Sequence, residues 1–205
     1  MRKLTWCLFL FPCALFGQVV TDDFNRADGG LGANWTNNSG FSPLAIVSNT
    51  CKGSGGGAHN VASYTAAGTA PADQYAQFKV TTTGGFIGPV LRSNGTGTFY
   101  TCYYNAGAAT IYKWIGGSAT QIDTGCAALT PAINDVVYLE VLGSALTFKV
   151  NGVSVCTATD SSITGAGYTG IDIFDTGAAV DDFQGGALTA AAAQIKSNRF
   201  FLFTQ

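Results

Sequence analysis

Charge is scarce in this chain. Only 11% of its 205 residues are Asp, Glu, Lys or Arg, against about a quarter in an average soluble protein. The surface must therefore be built from Thr, Ser, Asn and Gly. The net charge is −2 and no basic block occurs, which excludes the electrostatic footprint of a nucleic-acid binder and leaves no polybasic segment for a membrane surface. There is one glutamate, Glu140, and one histidine, His59. Glycoside hydrolysis needs two carboxyls facing each other across the sugar. No acidic residue stands at that spacing in the strand of Glu140, and Asp172 and Asp175 fall on opposite strand faces or in a turn. His59 ends the run Gly53-Ser-Gly-Gly-Gly-Ala-His59, which reads as a mobile surface loop. A Ser–His–Asp triad needs a base locked by packing, and the chain has no G-x-S-x-G elbow. The glycine run also lacks the Gly-Lys-Ser/Thr ending of a phosphate loop. Catalysis is not expected.

Helical periodicity is missing too, and what is present is β structure. The 27 glycines and many threonines favour strands and tight turns. In Val136–Leu142 and Ala145–Val150 apolar residues alternate with polar ones on both sides of Gly143-Ser144. That pattern predicts an antiparallel hairpin with Val137, Leu139, Val141, Leu146, Phe148 and Val150 inward. Asn151-Gly152 then turns the chain into a third strand at Val153. Further strands are expected at 45–51, 60–65, 74–82, 86–92, 98–104, 110–115, 119–125, 168–174 and 179–184. About a dozen short strands with regular turn signals predict an all-β, antiparallel two-sheet β-sandwich or barrel.

The ends differ from the middle. Arg2 and Lys3, the uncharged apolar run Leu4 to Phe16, and Gly17 follow the plan of a secretory signal peptide. The run is short for a bilayer span and Pro12 interrupts it, so stable membrane insertion is not expected. Residues 1–17 are read as the signal, 18–186 as one domain and 187–205 as a tail. The tail carries Phe200-Phe-Leu-Phe203, read as a last strand packed back on the sandwich or a disordered end, or else as an element for docking on a partner or a second copy. An exported chain enters an oxidising compartment. Cys51, Cys102, Cys126 and Cys156 are therefore expected to form two disulfides, with all three pairings open. Free buried thiols are the next reading and zinc the weakest, because no two of them are close enough in sequence for a knuckle.

Three segments resemble the bacterial concanavalin A-like (laminin-G-like) jelly rolls. They are the opening Thr21-Asp-Asp-Phe-Asn-Arg26 with Leu31-Gly-Ala-Asn-Trp35, the hairpin from Tyr138 to Gly152, and the closing Gly170-Ile-Asp-Ile-Phe174 with Val180-Asp-Asp-Phe183. The resemblance implies a jelly roll whose last strand pairs beside its first. It is weak for function, since the fold serves lectins, glycosidases, adhesion modules and spacers alike. It also brings Asp22 and Asp23 beside Asp181 and Asp182, making Asp23 and Asp182 candidate ligands for calcium, which takes six to eight oxygens.

The sequence points most to non-catalytic binding of a polysaccharide or cell-surface glycan by a secreted or periplasmic protein. The aromatic-rich stretch Phe99–Asn105 and the next strand, Tyr112–Trp114, supply flat rings. Tyr138, Glu140 and Lys149 face away from the core if the hairpin reading holds, and Arg92 and Lys113 are expected to join them. The candidate ligand-binding set is thus Arg92, Tyr103, Lys113, Tyr138, Glu140 and Lys149, with Tyr103 and Tyr138 exposed. A structural subunit assembling through the tail is the alternative.

Overall fold

A computed structural model describes residues 19–188, so the expected signal peptide and residues 189–205 of the expected tail lie outside the described residues. Within them the chain forms sixteen strands. They are β1 (Val19–Asp22), β2 (Gly29–Gly30), β3 (Trp35–Asn37), β4 (Leu44–Val47), β5 (Thr50–Gly53), β6 (His59–Tyr64), β7 (Gln74–Thr82) and β8 (Ile87–Ser93) in the first half. The second half holds β9 (Phe99–Asn105), β10 (Ala108–Ile115), β11 (Ser118–Gln121), β12 (Val136–Leu142), β13 (Ala145–Val150), β14 (Val153–Thr159), β15 (Tyr168–Phe174) and β16 (Ala179–Ala187). A nine-stranded sheet runs β14-β13-β12-β7-β16-β5-β4-β2 with β1 also on β16, and a seven-stranded sheet runs β11-β10-β9-β8-β15-β6-β3. The named strands pair antiparallel throughout, giving the expected sandwich. No helix among the described residues is long and apolar enough to cross a membrane.

The hairpin prediction holds residue by residue. Val137 pairs with Val150, Leu139 with Phe148 and Val141 with Leu146, and all six are buried. Gly143, Asn151 and Gly152 take the positive φ that these tight turns require. The expected strand at 45–51 is instead the hairpin β4–β5, because Ser48 and Asn49 both adopt positive φ and turn the chain back. The last strand pairs with the first as expected, Val19 opposite Gly186 and Asp22 opposite Phe183.

Between the sheets lies the main core, with Phe78, Ile87, Leu91, Tyr100, Ile111, Leu139, Phe148, Ile171, Ile173 and Phe183 all nearly or fully excluded from solvent. Each such side chain contributes about 1.5–3 kcal/mol by burial. A second apolar cluster of Val61, Val90, Phe99 and Trp114 sits on the outer face of the seven-stranded sheet.

The opening motif is a lock. Asp22 accepts from the Phe24 amide at 2.9 Å, from the Arg26 guanidinium at 2.6 and 2.9 Å, and from Trp35 Nε1 at 2.7 Å. Arg26 also donates to the Leu31 carbonyl at 2.7 Å. One aspartate thereby fastens β1, the loop after it and β3.

Of the two disulfides expected, one is present, Cys126–Cys156. Cys51 and Cys102 are free and fully buried. They belong to different sheets, on β5 and β9, where each acts as a small apolar core residue.

Candidate functional site

The six residues expected to form one ligand surface are dispersed over three places. Tyr138, Glu140 and Lys149 do share the outer face of the nine-stranded sheet. There the Tyr138 hydroxyl donates to Glu140 at 2.7 Å, Lys149 Nζ donates to Glu140 at 2.8 Å, and Tyr75 stacks on Tyr138 at 5.5 Å. Lys149 also lies 4.8 Å from the Tyr138 ring centroid. The polar groups of this cluster therefore satisfy one another.

Arg92 and Lys113 stand elsewhere. Arg92 sits at positive φ, opposite the register shift between β15 and β8, and is almost wholly buried. Its guanidinium donates to the carbonyls of Ala72, Ile163 and Gly143 at 2.8, 2.6 and 2.7 Å. Lys113 donates to Asp160 at 2.7 Å and Ser162 at 2.6 Å. Burial alone would raise the Asp160 carboxyl, but Lys113, Ser162 and Tyr100 hold it well below the usual carboxylate range. Both cations are spent on fastening loops.

Tyr103, expected to be exposed, is buried, and it leads to the densest chemistry of the molecule. On the outer face of the seven-stranded sheet, strand register brings His59 opposite Phe174, and Asp172 opposite Val61 and Gly88. His59 stacks on Tyr103 at 5.3 Å and meets Trp114 and Phe174 edge-on at 4.9 Å each. The contacts continue from Phe174 to Phe86 at 5.6 Å, from Tyr103 to Tyr112 at 4.7 Å, and from Trp114 to Phe41 at 5.1 Å. Phe41, His59, Phe86, Tyr112 and Phe174 are half-buried, so the ring surface continues to solvent. Two clefts flank it. One of about 490 Å³ is lined by Phe41, Ser42, His59, Thr96 and Trp114. The other, about 420 Å³, is lined by Phe86, Asn105, Phe174 and Asp175.

Beneath the rings lies Asp172, fully buried. Its Oδ1 is 3.0 Å from His59 Nδ1, and its Oδ2 has no hydrogen-bond partner. Burial pushes the Asp172 carboxyl above its ordinary value, with His59 and the nearby Tyr103 pulling the other way. Trp114 Nε1 donates to the Tyr103 hydroxyl at 2.8 Å. Burial drives the Tyr103 phenol far upward, so it stays protonated.

His59 is thus no mobile-loop residue. It opens β6, and Asn60 beside it fixes the glycine run. Asn60 Nδ2 donates to the carbonyls of Gly55, Ala58 and Ile173 at 3.0 Å each, and its Oδ1 accepts from the Gly55 amide at 2.7 Å. Sequence reasoning missed His59 and Asp172 as a pair because 113 residues separate them. The available signal was the position of Asp172 in Gly170-Ile-Asp-Ile-Phe174, where alternation puts it on the face opposite Ile171 and Ile173.

Asp23 and Asp182 line one cleft, about 560 Å³, with Asp22, Arg26, Gln77 and Gln184. Their side chains are a poor fit to a calcium cage. Asp22 is consumed by the lock, and Asp182 faces Lys79 at 3.4 Å. Among the described residues the one trio of His, Cys, Asp or Glu close enough to share an ion is Asp123 with Cys126 and Cys156, whose sulfurs form the disulfide.

No family model matches this sequence, and no curated protein matches it. Solved structures do match the fold. The carbohydrate-binding module CBM66 from Bacillus subtilis has a TM-score of 0.57 at 16% identity, over 75% of this chain and 94% of that one. A protein of unknown function with a galectin-like fold, also from Bacillus subtilis, gives 0.57 at 12%, over 78% and 97%. The β-glucanase of Bacillus licheniformis gives 0.53 at 10%, over 85% and 100%. At such identities the likeness carries architecture and not activity. The likeness is one of fold: the chain has the antiparallel two-sheet jelly-roll sandwich that its opening strand, hairpin and closing strand led one to expect.

Proposed function

We propose that this protein is a secreted carbohydrate-binding module that holds a glycan chain against the aromatic outer face of its seven-stranded sheet. The observation that carries this reading is the unbroken set of ring contacts from Phe41 through Trp114, His59 and Phe174 to Phe86, half-open to solvent and flanked by clefts on both sides. Sugar rings have apolar C–H faces that leave water when laid on such a surface, while hydroxyls at their rims reach polar groups in the clefts. Structural neighbours that are carbohydrate-binding modules support glycan binding in general.

The role is proposed as binding without cleavage. Glycoside hydrolysis needs a proton donor and a second carboxylate about 5–9.5 Å apart across the sugar. On this face Asp172 lies under the rings, and Glu140 belongs to the opposite sheet. Glucanases also share the fold, so release of reducing sugar is the outcome that would overturn this part. The disulfide fits an oxidising compartment, and the signal-like start of the sequence supports export.

The test is retention of the full chain on a panel of insoluble and soluble polysaccharides, with calcium and with chelator. Retention on at least one polymer class is expected, and it should survive chelation because Asp23 and Asp182 lie on the other sheet's cleft. Failure on every polymer would contradict the reading.

A further inference from the structure

Building on the proposed glycan face, we infer that His59, braced from below by Asp172, is the polar contact of that site and selects uncharged sugars over uronates. The His59 ring is about one-fifth exposed and lines the larger of the two clefts. Its Nδ1 is taken by Asp172. Nε2 has no protein partner and is not among the buried unpartnered atoms, so it is the nitrogen open to the cleft. The bond made by one imidazole nitrogen fixes the role of the other. With Asp172 ionised, Nδ1–H donates to Oδ1 and Nε2 becomes an acceptor facing the ligand. A sugar hydroxyl is the donor that matches it. Stacking on Tyr103 and edge contacts from Trp114 and Phe174 hold the ring in that orientation.

The charges of this face set its preference. Six lysines and arginines occur among the described residues, and none supplies a cation here. Arg26, Lys52, Lys79 and Lys149 belong to the nine-stranded sheet or its cleft. Arg92 and Lys113 are spent on carbonyls and on Asp160. The ionisable groups that face His59 are Asp172 from β15 and Tyr103 from β9, with Tyr112 of β10 behind Tyr103. Asp175 stands at the rim of the neighbouring cleft. With His59 neutral, a buried carboxylate with one oxygen unpartnered, and no lysine or arginine to offset it, repels a second carboxylate brought close. Like charges placed together are an effective means of rejecting a wrong partner.

Matched neutral and acidic polymers test this: β-1,4-mannan against β-1,4-mannuronan, and β-1,4-glucan against β-1,4-glucuronan. Because His59 is the chain's single histidine, its imidazole ¹⁵N and ¹H resonances report the tautomer and the contact without ambiguity. In whichever pair binds, the neutral member is expected to bind about tenfold or more tightly than the uronate. Its saturation should shift the Nε2 resonance. His59→Gln should weaken neutral binding by about threefold to tenfold, and Asp172→Asn should narrow the gap between neutral and acidic members. If Asp172→Asn does not fold, the wild-type polymer pairs and His59→Gln still decide. Equal binding of the uronate, or an imidazole unmoved at saturation, would overturn the inference while leaving the glycan face standing. Retention of no polymer at all would overturn both.

Discussion

Trp35 Nε1 donates to Asp22 Oδ2 at 2.7 Å across thirteen residues of sequence. The same carboxylate holds Arg26 and the Phe24 amide, so a single side chain ties the first strand to the loop and strand that follow. Asp22→Ala leaves the indole N–H, the guanidinium and a buried amide without their acceptor. A loss of roughly 3 kcal/mol is expected, read as a lower denaturant midpoint at unchanged slope.

Acid should act through the same group. Burial raises the Asp22 carboxyl, yet Arg26, Trp35 and the Phe24 amide bring it below its ordinary value of 3.8. Asp135 and Asp160 are also lowered. A carboxyl with a depressed folded pKa stabilises fully above about pH 5 and loses that contribution as pH falls through 3.8 toward the folded value. Asp172 has the opposite sign: raised when folded, it favours the native state below 3.8 and loses that contribution as pH rises through its folded value. Urea midpoints from pH 2 to 7 should therefore fall on the acid side. Asp22→Asn should flatten that limb and Asp172→Asn should not.

Thiol chemistry separates the four domain cysteines. Cys126 and Cys156 close a loop of 30 residues, for which chain entropy gives about 3.5 kcal/mol. Replacing both by serine should lower stability by roughly that amount. Mass spectrometry after alkylation should find one disulfide and two free thiols. Burial pushes the thiols of Cys51 and Cys102 well above their ordinary value, so they should react only after unfolding.

Much of the fold was legible in the sequence because alternation and turn chemistry are local. Strands β7, β12, β13 and β15 fall within the bounds that the pattern predicts, and Asn151-Gly152 sets the β13–β14 turn. What pattern could not supply was the placement of isolated polar residues. Arg92 looked like a surface cation, but three carbonyls from distant loops converge on it. His59 followed a glycine run that reads as mobile, and only the fold reveals Asn60 fastening that run. The aromatic stretch Phe99–Asn105 does bring one of its rings, Tyr103, into the outer-face cluster. The partners that ring meets from elsewhere in the chain, His59 and Phe86, are distant in sequence, and no local rule names them.

Arg92 offers a direct contrast between architecture and recognition. Arg92→Ala orphans three carbonyls and empties a buried site, so a loss of roughly 3 kcal/mol is expected. Binding of the folded fraction to polysaccharide should be unchanged. A selective loss of affinity at full stability would return Arg92 to the ligand surface.

The central claim is that the glycan lies on the seven-stranded sheet and not on the opposite face. The most direct measurement compares polymer affinity of Phe86→Ala with Tyr112→Ala on one side against Tyr75→Ala with Tyr138→Ala on the other, each pair combined in one folded variant. The first variant is expected to lose about tenfold or more in affinity and the second to bind as the wild type does. The reverse pattern would contradict the account and move the site to the Tyr138–Glu140–Lys149 surface.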